Sequence, residues 1–323
     1  MRENLLSSEI PLVLKSSSVP GVDPRLTEAM STLPRYVLIT PARNEAEFIE
    51  LTLKSVVSQT LQPLRWIIVS DGSTDGTDAI VEKYAAEHEW IELVQMPPRK
   101  ERNFAGKVHA FDAGYARVKD LNFEVIGNLD GDVSFGEDYF EFLMAKFAEN
   151  ERLGVGGTPF REGSSTSSQY DYRFTSSEHV SGQCQIFRRE CFQDIGGYIP
   201  REIGGIDLVA VTTARMKGWE TRAFLEKTYF HHRRMSSEGR SAWKVPLYMG
   251  RKDYVLGSSP LWAFFQCLYQ GLRRTTPLNG ALRLMGFIWG MTSEQIQVSP
   301  EFVRYRRKEQ MGRLRKLIAG KRK

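Results

Sequence analysis

"WIIVSDGSTDGT", residues 66–77, sets an unbroken apolar run against a cluster of turn residues. Four consecutive apolar residues with β-branched members read as a strand covered on both faces, since a half-exposed strand alternates with polar positions. Asp, Gly, Ser and Thr then supply a turn. The following "DAIVEKYAAEH" (78–88) carries Val81, Tyr84, Ala85 and His88 at helical spacing. The same unit recurs on either side. Upstream, "YVLIT" (36–40) reads as a buried strand, and "NEAEFIELTLKSVVSQT" (44–60) as a helix with Ile49, Leu53, Val56 and Val57 on one face, stopped before Pro63. Downstream come a strand, "WIELVQM" (90–96), a helix, "GKVHAFDAGYARV" (106–118), and a strand, "FEVIGNL" (123–129). Strands alternating with helices predict an α/β fold, a mostly parallel sheet with helices on both faces. Ligands of such sheets sit beyond the strands' carboxyl ends, where helix N-termini converge. Three loops therefore share one crevice: "PARNE" (41–45), "DGSTDGT" (71–77) and "DGD" (130–132).

The chain has 323 residues, 41% hydrophobic and 26% charged, which is a soluble globular composition with ample material for a core. Cys184, Cys191 and Cys267 form an odd set without metal-ligand spacing, which points away from a disulfide framework or zinc site and toward a cytoplasmic protein. Residues 1–34 show no secretion signal and read as an N-terminal arm or linker through "KSSSVPGVDP". The net charge of +5 is concentrated in the C-terminal "YRRKEQMGRLRKLIAGKRK", which could meet RNA, anionic lipid or only water.

Asp130 and Asp132 on a glycine hinge can direct oxygens at one hard cation, Mg²⁺ or Mn²⁺, that keeps positions open for phosphate oxygens. A plain turn is the alternative. Asp71 is suited either to an Asx turn capping the helix that starts near Thr77, or to accepting hydrogen bonds from a base or ribose. In the second half, "GTPFREGSSTSSQYDYRF" (157–174) reads as a mobile loop, and "GQCQIFRRECFQDIGGY" (182–198) as a strand, a short helix and a glycine turn. "IDLVAVTTARMKGW" (206–219) is a helix with Leu208, Val211, Thr212 and Met216 on one face, and "TRAFLEKTYFHHRR" (221–234) returns as a strand.

In order and spacing, "YVLITPARNEAEFIELTLKSVVSQT", "WIIVSDGSTDGT", "GKVHAFDAGYA" and "NLDGDV" resemble the nucleotide-binding half of a family 2 glycosyltransferase of the GT-A fold. The resemblance is close over about residues 35–135 and looser beyond. It implies a GT-A catalytic domain over 35–235, divided at 135 into nucleotide-sugar-binding and acceptor-binding halves, followed by a helical, basic C-terminal region at 236–323. It implies an inverting, non-processive transfer from a nucleoside-diphosphate sugar, a UDP-sugar foremost, to a saccharide or lipid-linked acceptor in polysaccharide assembly, with Mg²⁺ or Mn²⁺ as cofactor. Pro41, Ala42, Arg43, Asn44 and Glu45 would surround the nucleotide, Asp71 hold the base, Lys107 lie near the pyrophosphate, Asp130 sit by the ribose and metal, and Asp132 bind the metal. A solvated lysine is the plainer reading of Lys107. Asp207 takes the place of the family's base, although its usual Glu-Asp pair is here Ile206-Asp207; a helix N-cap is the alternative role. Of His231 and His232, neighbours that face opposite ways along a strand, one ring can point inward as a third metal ligand, and His231 is preferred.

The Q-x-x-R-W motif and membrane spans of processive synthases are absent from the sequence. "LWAFFQCLYQGL" and "ALRLMGFIWGM" fall short of the ~20 apolar residues of a span. They and the face formed by Met311, Leu314, Leu317 and Ile318 are expected either to lie in a membrane interface or to pack on the catalytic domain or a second subunit, as in a homodimer. The rival functions are a sugar-phosphate nucleotidyltransferase, which needs a glycine-rich basic loop where "PARNEAEF" is acidic, a non-catalytic family member, and a nucleic-acid-binding protein working through its tail. No nucleic acid partner is expected.

Overall fold

The strand–loop–helix unit is repeated as β1 (Tyr36–Ala42), α1 (Ile49–Val57), β2 (Arg65–Ser70), α2 (Thr77–Glu87), β3 (Ile91–Gln95), α3 (Phe104–Val118) and β4 (Val125–Leu129). The protein is described by a computed structural model over residues 33–98, 104–163, 176–233, 243–273 and 277–319. Residues 1–32 of the N-terminal arm, residues 164–175 of the Ser-rich stretch and the last four residues of the basic tail lie outside the described residues. Residues 34–323 form one compact unit.

The chain continues with β5 (Val133–Ser134), α4 (Tyr139–Glu149), β6 (Leu153–Gly157), β7 (Phe160–Glu162), β8 (Cys184–Arg188), α5 (Arg189–Asp194), α6 (Ile206–Met216), β9 (Glu220–Ala223) and β10 (Tyr229–His231). Seven strands form one sheet in the order β3-β2-β1-β4-β8-β6-β9, and β5-β10-β7 form a second. The first four strands run parallel, and β8 is antiparallel to both β4 and β6. Their apolar runs are continuous because helices cover both faces. Trp66, Ile67, Ile68 and Val69 are all fully buried. The register, with Ala42 opposite Ser70 and Ile39 opposite Asn128, brings the carboxyl ends of β1, β2 and β4 to one edge, as the three-loop crevice requires. Helix α3 lies close on this sheet because Gly114 leaves room: a Cβ there would stand 2.6 Å from Ile39 Cγ2.

Three expectations need correction. "TRAFLEKTYFHHRR" is two strands, since a turn at residues 225–226 carries the chain from the edge of the large sheet (β9) to the centre of the small one (β10). Within the Ser-rich stretch, Phe160–Glu162 form strand β7. Helix α6 has two buried faces: Ile206, Ala210, Val211 and Ala214 join the sheet's core, while Val209 meets Leu256 and Phe302 with Leu208 and Met216 alongside. The single face through Leu208, Val211, Thr212 and Met216 therefore described only part of its burial.

That second face meets α10 (Pro300–Ile318) and Leu256 at the end of α7 (Lys244–Val255), and α8 (Pro260–Arg273) and α9 (Pro277–Ser293) pack on α7. Helix α10 starts on Ser299, whose Oγ accepts from Phe302 N (3.2 Å), with Pro300 in the first turn. It packs through Phe302, Arg306, Gln310 and Leu314, a face that shares only Leu314 with the expected one; Leu317 and Ile318 are exposed. The polar members belong there because they bind backbone: Arg306 Nη1 donates to Leu256 O (2.6 Å), and Gln310 Oε1 accepts from Ser259 N (2.8 Å).

Helices α7 and α9 cross at glycines. A Cβ on Gly250 would stand 1.9 Å from Arg283 O, and one on Gly286 2.0 Å from Leu247 O. Both obstacles are helical backbone, so Gly250→Ala has to force the helices apart. It is expected to cost about 3 kcal/mol and lower Tm by about 6–12 °C, measured by calorimetry; an unchanged Tm would show that the crossing gives way freely.

Candidate functional site

The loops after β1 and β2 are tied to each other by their own polar groups. Asn44, at φ 55° in the left-handed region that Asn tolerates, donates its N–H to Ser73 Oγ (3.1 Å) and accepts from Thr74 N at Oδ1 (2.9 Å). Glu45 N donates to Thr77 Oγ1 (2.8 Å), and Ala46 N to Asp75 Oδ2 (3.0 Å). The Asx turn at the start of α2 belongs to Asp75, whose Oδ1 accepts from Thr77 N (3.1 Å) and Thr77 Oγ1 (2.6 Å). That role was open to Asp71 in the sequence. Asp71 instead directly follows β2, almost fully buried, its Oδ2 3.8 Å from Arg43 Nη1, and its N–H donates to Ala42 O (2.8 Å). Ala42 is itself buried and Pro41 lies in register with Val69, so both shape the crevice through backbone.

Lys107, in the first turn of α3, forms an ion pair with Asp130 Oδ1 and donates to Gly182 O (3.4 Å). Asn128 Nδ2 donates to the same carbonyl (2.7 Å). Burial, reinforced by the charge of Asp132, holds the Asp130 carboxyl above its ordinary range although Lys107 opposes it.

Asp132 faces the small sheet. Pairing of β5 with β10 sets Val133 opposite His231, and this places His231 Nε2 3.4 Å from Asp132 Oδ2. His231 Nδ1 donates to Glu162 Oε1 (2.8 Å), an arrangement that orients the ring and directs Nε2 at Asp132. Asp132 Oδ2 also accepts from Arg233 Nε (3.2 Å), and Arg233 Nη2 pairs with Glu45 Oε2. Burial disfavours charge on Asp132, but His231, Arg233 and Lys107 together outweigh it and hold the carboxyl below its usual range. Burial likewise opposes the His231 imidazolium, yet Asp132 and Glu162 raise its pKa. His232 turns away to Ser134 Oγ (2.9 Å).

The test of a metal here is Asp132 Oδ1. It is buried and has no hydrogen-bond partner, whereas Oδ2 serves two donors. A buried carboxylate oxygen left over beside an imidazole fits a hard divalent cation, which would take the place of the Nε2 proton of His231. Among the described residues no three carboxylate, imidazole or thiolate groups yet converge on a common point. Asp132 and His231 are brought together; Asp130, the third expected ligand, is turned toward Lys107.

Asp207 lies in the first turn of α6, whose N-cap is Gly205 at φ 79°, so the alternative role of Asp207 as N-cap does not hold. Its carboxylate rests against Gly182: a Cβ on that glycine would come within 2.9 Å of Asp207 Cβ and 3.3 Å of Oδ2. Because Gly182 O binds Lys107, a single residue separates Asp207 from the Lys107–Asp130 pair. Ile206, standing where the usual glutamate is absent, is buried in the core. Sequence reading missed Asn128, Glu162, Gly182 and Arg233. Arg233 alone carried a local signal, adjacent to the His231-His232 pair.

Residues 37–201, just over half of the chain, match the family model for glycosyl transferase family 2. The chain is 30% identical over 141 residues to the probable glycosyltransferase YdaM of Bacillus subtilis, covering 43% of this chain and 32% of YdaM, so it spans about a third of that relative's length. Among solved structures it is similar to the mannosyltransferase PcManGT of Pyrobaculum calidifontis in complex with GDP-Man and Mn²⁺, with TM-score 0.55 and 18% identity over 89% of this chain and 76% of that one. It is also similar to S. aureus TarS 1-349 in complex with UDP-GlcNAc, with TM-score 0.53 and 19% identity over 70% of this chain and 67% of that one. These likenesses are of fold, and they bear out the GT-A architecture.

Proposed function

Because the chain belongs to glycosyl transferase family 2, we propose that it transfers a sugar, with inversion, from a nucleoside-diphosphate sugar to a saccharide or lipid-linked acceptor. The observation that carries this reading is the buried, partnerless Oδ1 of Asp132, whose other oxygen meets His231, close to the Lys107–Asp130 pair and Asp207. The neighbours' GDP-Man and UDP-GlcNAc support the donor class. UDP is favoured, and glycan or polysaccharide assembly is the proposed context.

Asp71, directly after β2, accepts hydrogen bonds from the base, and the loop of Arg43, Asn44 and Glu45 walls the nucleotide. Lys107 offers an ammonium to the diphosphate as charge develops on it. Asp132 and His231 would hold Mg²⁺ or Mn²⁺, with Asp130 on the ribose side; when bound, the cation supplies Lewis-acid neutralisation of the departing diphosphate. Asp207 takes the acceptor hydroxyl's proton as that oxygen bonds to the anomeric carbon from the face opposite the leaving group. One displacement breaks the bond to the diphosphate and inverts the centre. A panel of UDP- and GDP-sugars with Mn²⁺, read by nucleotide release and by the anomeric configuration of the product, tests this. One donor consumed only with divalent cation and giving an inverted product is expected; no turnover of any donor, or retention, contradicts it.

The C-terminal helices support a membrane-adjacent acceptor. Helix α8 buries Trp262, Ala263 and Cys267 but exposes Leu261, Phe264 and Leu268; α9 buries Phe287 and exposes Met285, Ile288 and Trp289, each more than half exposed. Residues 236–323 hold 17 Lys and Arg against 5 Asp and Glu. An apolar face on a strongly basic region suits an anionic bilayer, where each basic residue near the surface contributes about 1 kcal/mol, and it disfavours pairing two like-charged copies. No described helix is long and apolar enough to cross a membrane. Flotation with phosphatidylglycerol vesicles is expected to carry the protein upward, phosphatidylcholine vesicles much less, and Trp289→Glu to abolish it. Sedimentation with both vesicle types contradicts membrane docking.

A further inference from the structure

We propose that Arg233 is an exchange residue of the donor site, which shares Asp132 with the divalent cation and passes its guanidinium to the donor's diphosphate. The inference rests on the function proposed above. Arg233 follows β10 by two residues and reaches across the crevice: Nε binds Asp132 Oδ2 at 3.2 Å, and Nη2 pairs with Glu45 Oε2. It thus joins the loops after β1 and β4 through one planar group. Its Cζ lies 5.6 Å from the Phe48 ring centroid, so an aromatic face steadies the fork while leaving its edge to the carboxylates. A fork that fits carboxylates fits phosphate oxygens equally well.

The charges favour the exchange. Lys107 is engaged with Asp130, and Arg233 with Asp132 and Glu45. A nucleoside diphosphate entering among three carboxylates meets repulsion unless further positive charge arrives with it. A cation on Asp132 satisfies that carboxylate and releases the Arg233 fork, which then has phosphate oxygens within its chemistry. Asp132 is suited to this because its two oxygens are unequal: Oδ2 carries Arg233 and His231, whereas buried Oδ1 has no hydrogen-bond partner. Arg233 therefore works against cation binding and in favour of nucleotide binding, two effects of opposite sign from one side chain.

The opposite signs give the test. Mn²⁺ affinity is measured by electron paramagnetic resonance without nucleotide, and UDP and GDP affinity by calorimetry at saturating Mn²⁺, for the wild type and Arg233→Met, which keeps length and contact with Phe48. The variant is expected to bind Mn²⁺ about tenfold tighter and its preferred nucleotide about tenfold weaker, the size expected for losing one charged contact. Arg233→Lys keeps the charge without the fork and guards against a folding defect; it should leave Mn²⁺ affinity within about twofold of wild type and weaken the nucleotide by an intermediate amount. If both affinities fall together in Arg233→Met, or neither moves, Arg233 only braces the loops and the proposal is overturned. A wild type that binds neither Mn²⁺ nor any nucleotide overturns the proposed function itself, a result distinct from either of those.

Discussion

Asp207→Asn is expected to reduce sugar transfer by about 1,000-fold while leaving donor affinity within about twofold of wild type. The substitution preserves shape but removes the carboxylate proposed to take the acceptor's proton. Its effect should fall on kcat, because Asp207 contacts neither Lys107 nor Asp132 directly and is separated from the nucleotide groups by Gly182. Gly182→Ala is a second probe of the same geometry. The added Cβ would stand 2.9 Å from Asp207 Cβ, so the carboxylate must shift, and misplacement on this scale is expected to cost about 100-fold in kcat with the charge intact. Near-normal turnover of Asp207→Asn would assign proton removal to another group.

Asp132→Ala is expected to abolish the cation dependence of nucleotide binding and to lower kcat/KM by at least about 1,000-fold. Two consequences of opposite sign compete in this variant. Loss of the carboxylate removes the partnerless oxygen that invites the cation, and it also frees Arg233 and His231 from their shared acceptor. The first should win in turnover, since charge on the leaving diphosphate has to be neutralised as the bond breaks. The second should leave weak, cation-independent nucleotide binding. A variant that retains Mn²⁺-stimulated turnover would place the cation elsewhere.

The first four strands and their helices were legible because local patterns sufficed. Continuous apolar strands, helical spacing and turn clusters alternate there, and a parallel sheet obliges the loops at 41–45, 71–77 and 130–132 to meet. What remained hidden depended on partners far apart in sequence. Asp71 and Asp75 are equivalent turn residues until Thr77 is seen to bind Asp75. Glu162 reads as part of a polar loop until β7 pairs with β10 and brings it to His231. Gly182 matters through what its missing side chain allows, which no periodicity reveals. The C-terminal helices misled for a related reason. The apolar face read at Met311, Leu314, Leu317 and Ile318 competes with one containing Arg306 and Gln310, residues that become interior only because Leu256 O, Ser258 and Ser259 satisfy them.

Asp132 and His231 are proposed to hold a divalent cation against the diphosphate of a nucleotide sugar, and every other role assigned to the site depends on it. It is tested most directly by anomalous diffraction from crystals grown with Mn²⁺ and UDP or GDP. A manganese peak is expected beside Asp132 Oδ1 and His231 Nε2, with the diphosphate next to it and near Lys107. A nucleotide bound in the crevice with no manganese at Asp132, or manganese bound elsewhere, would contradict it.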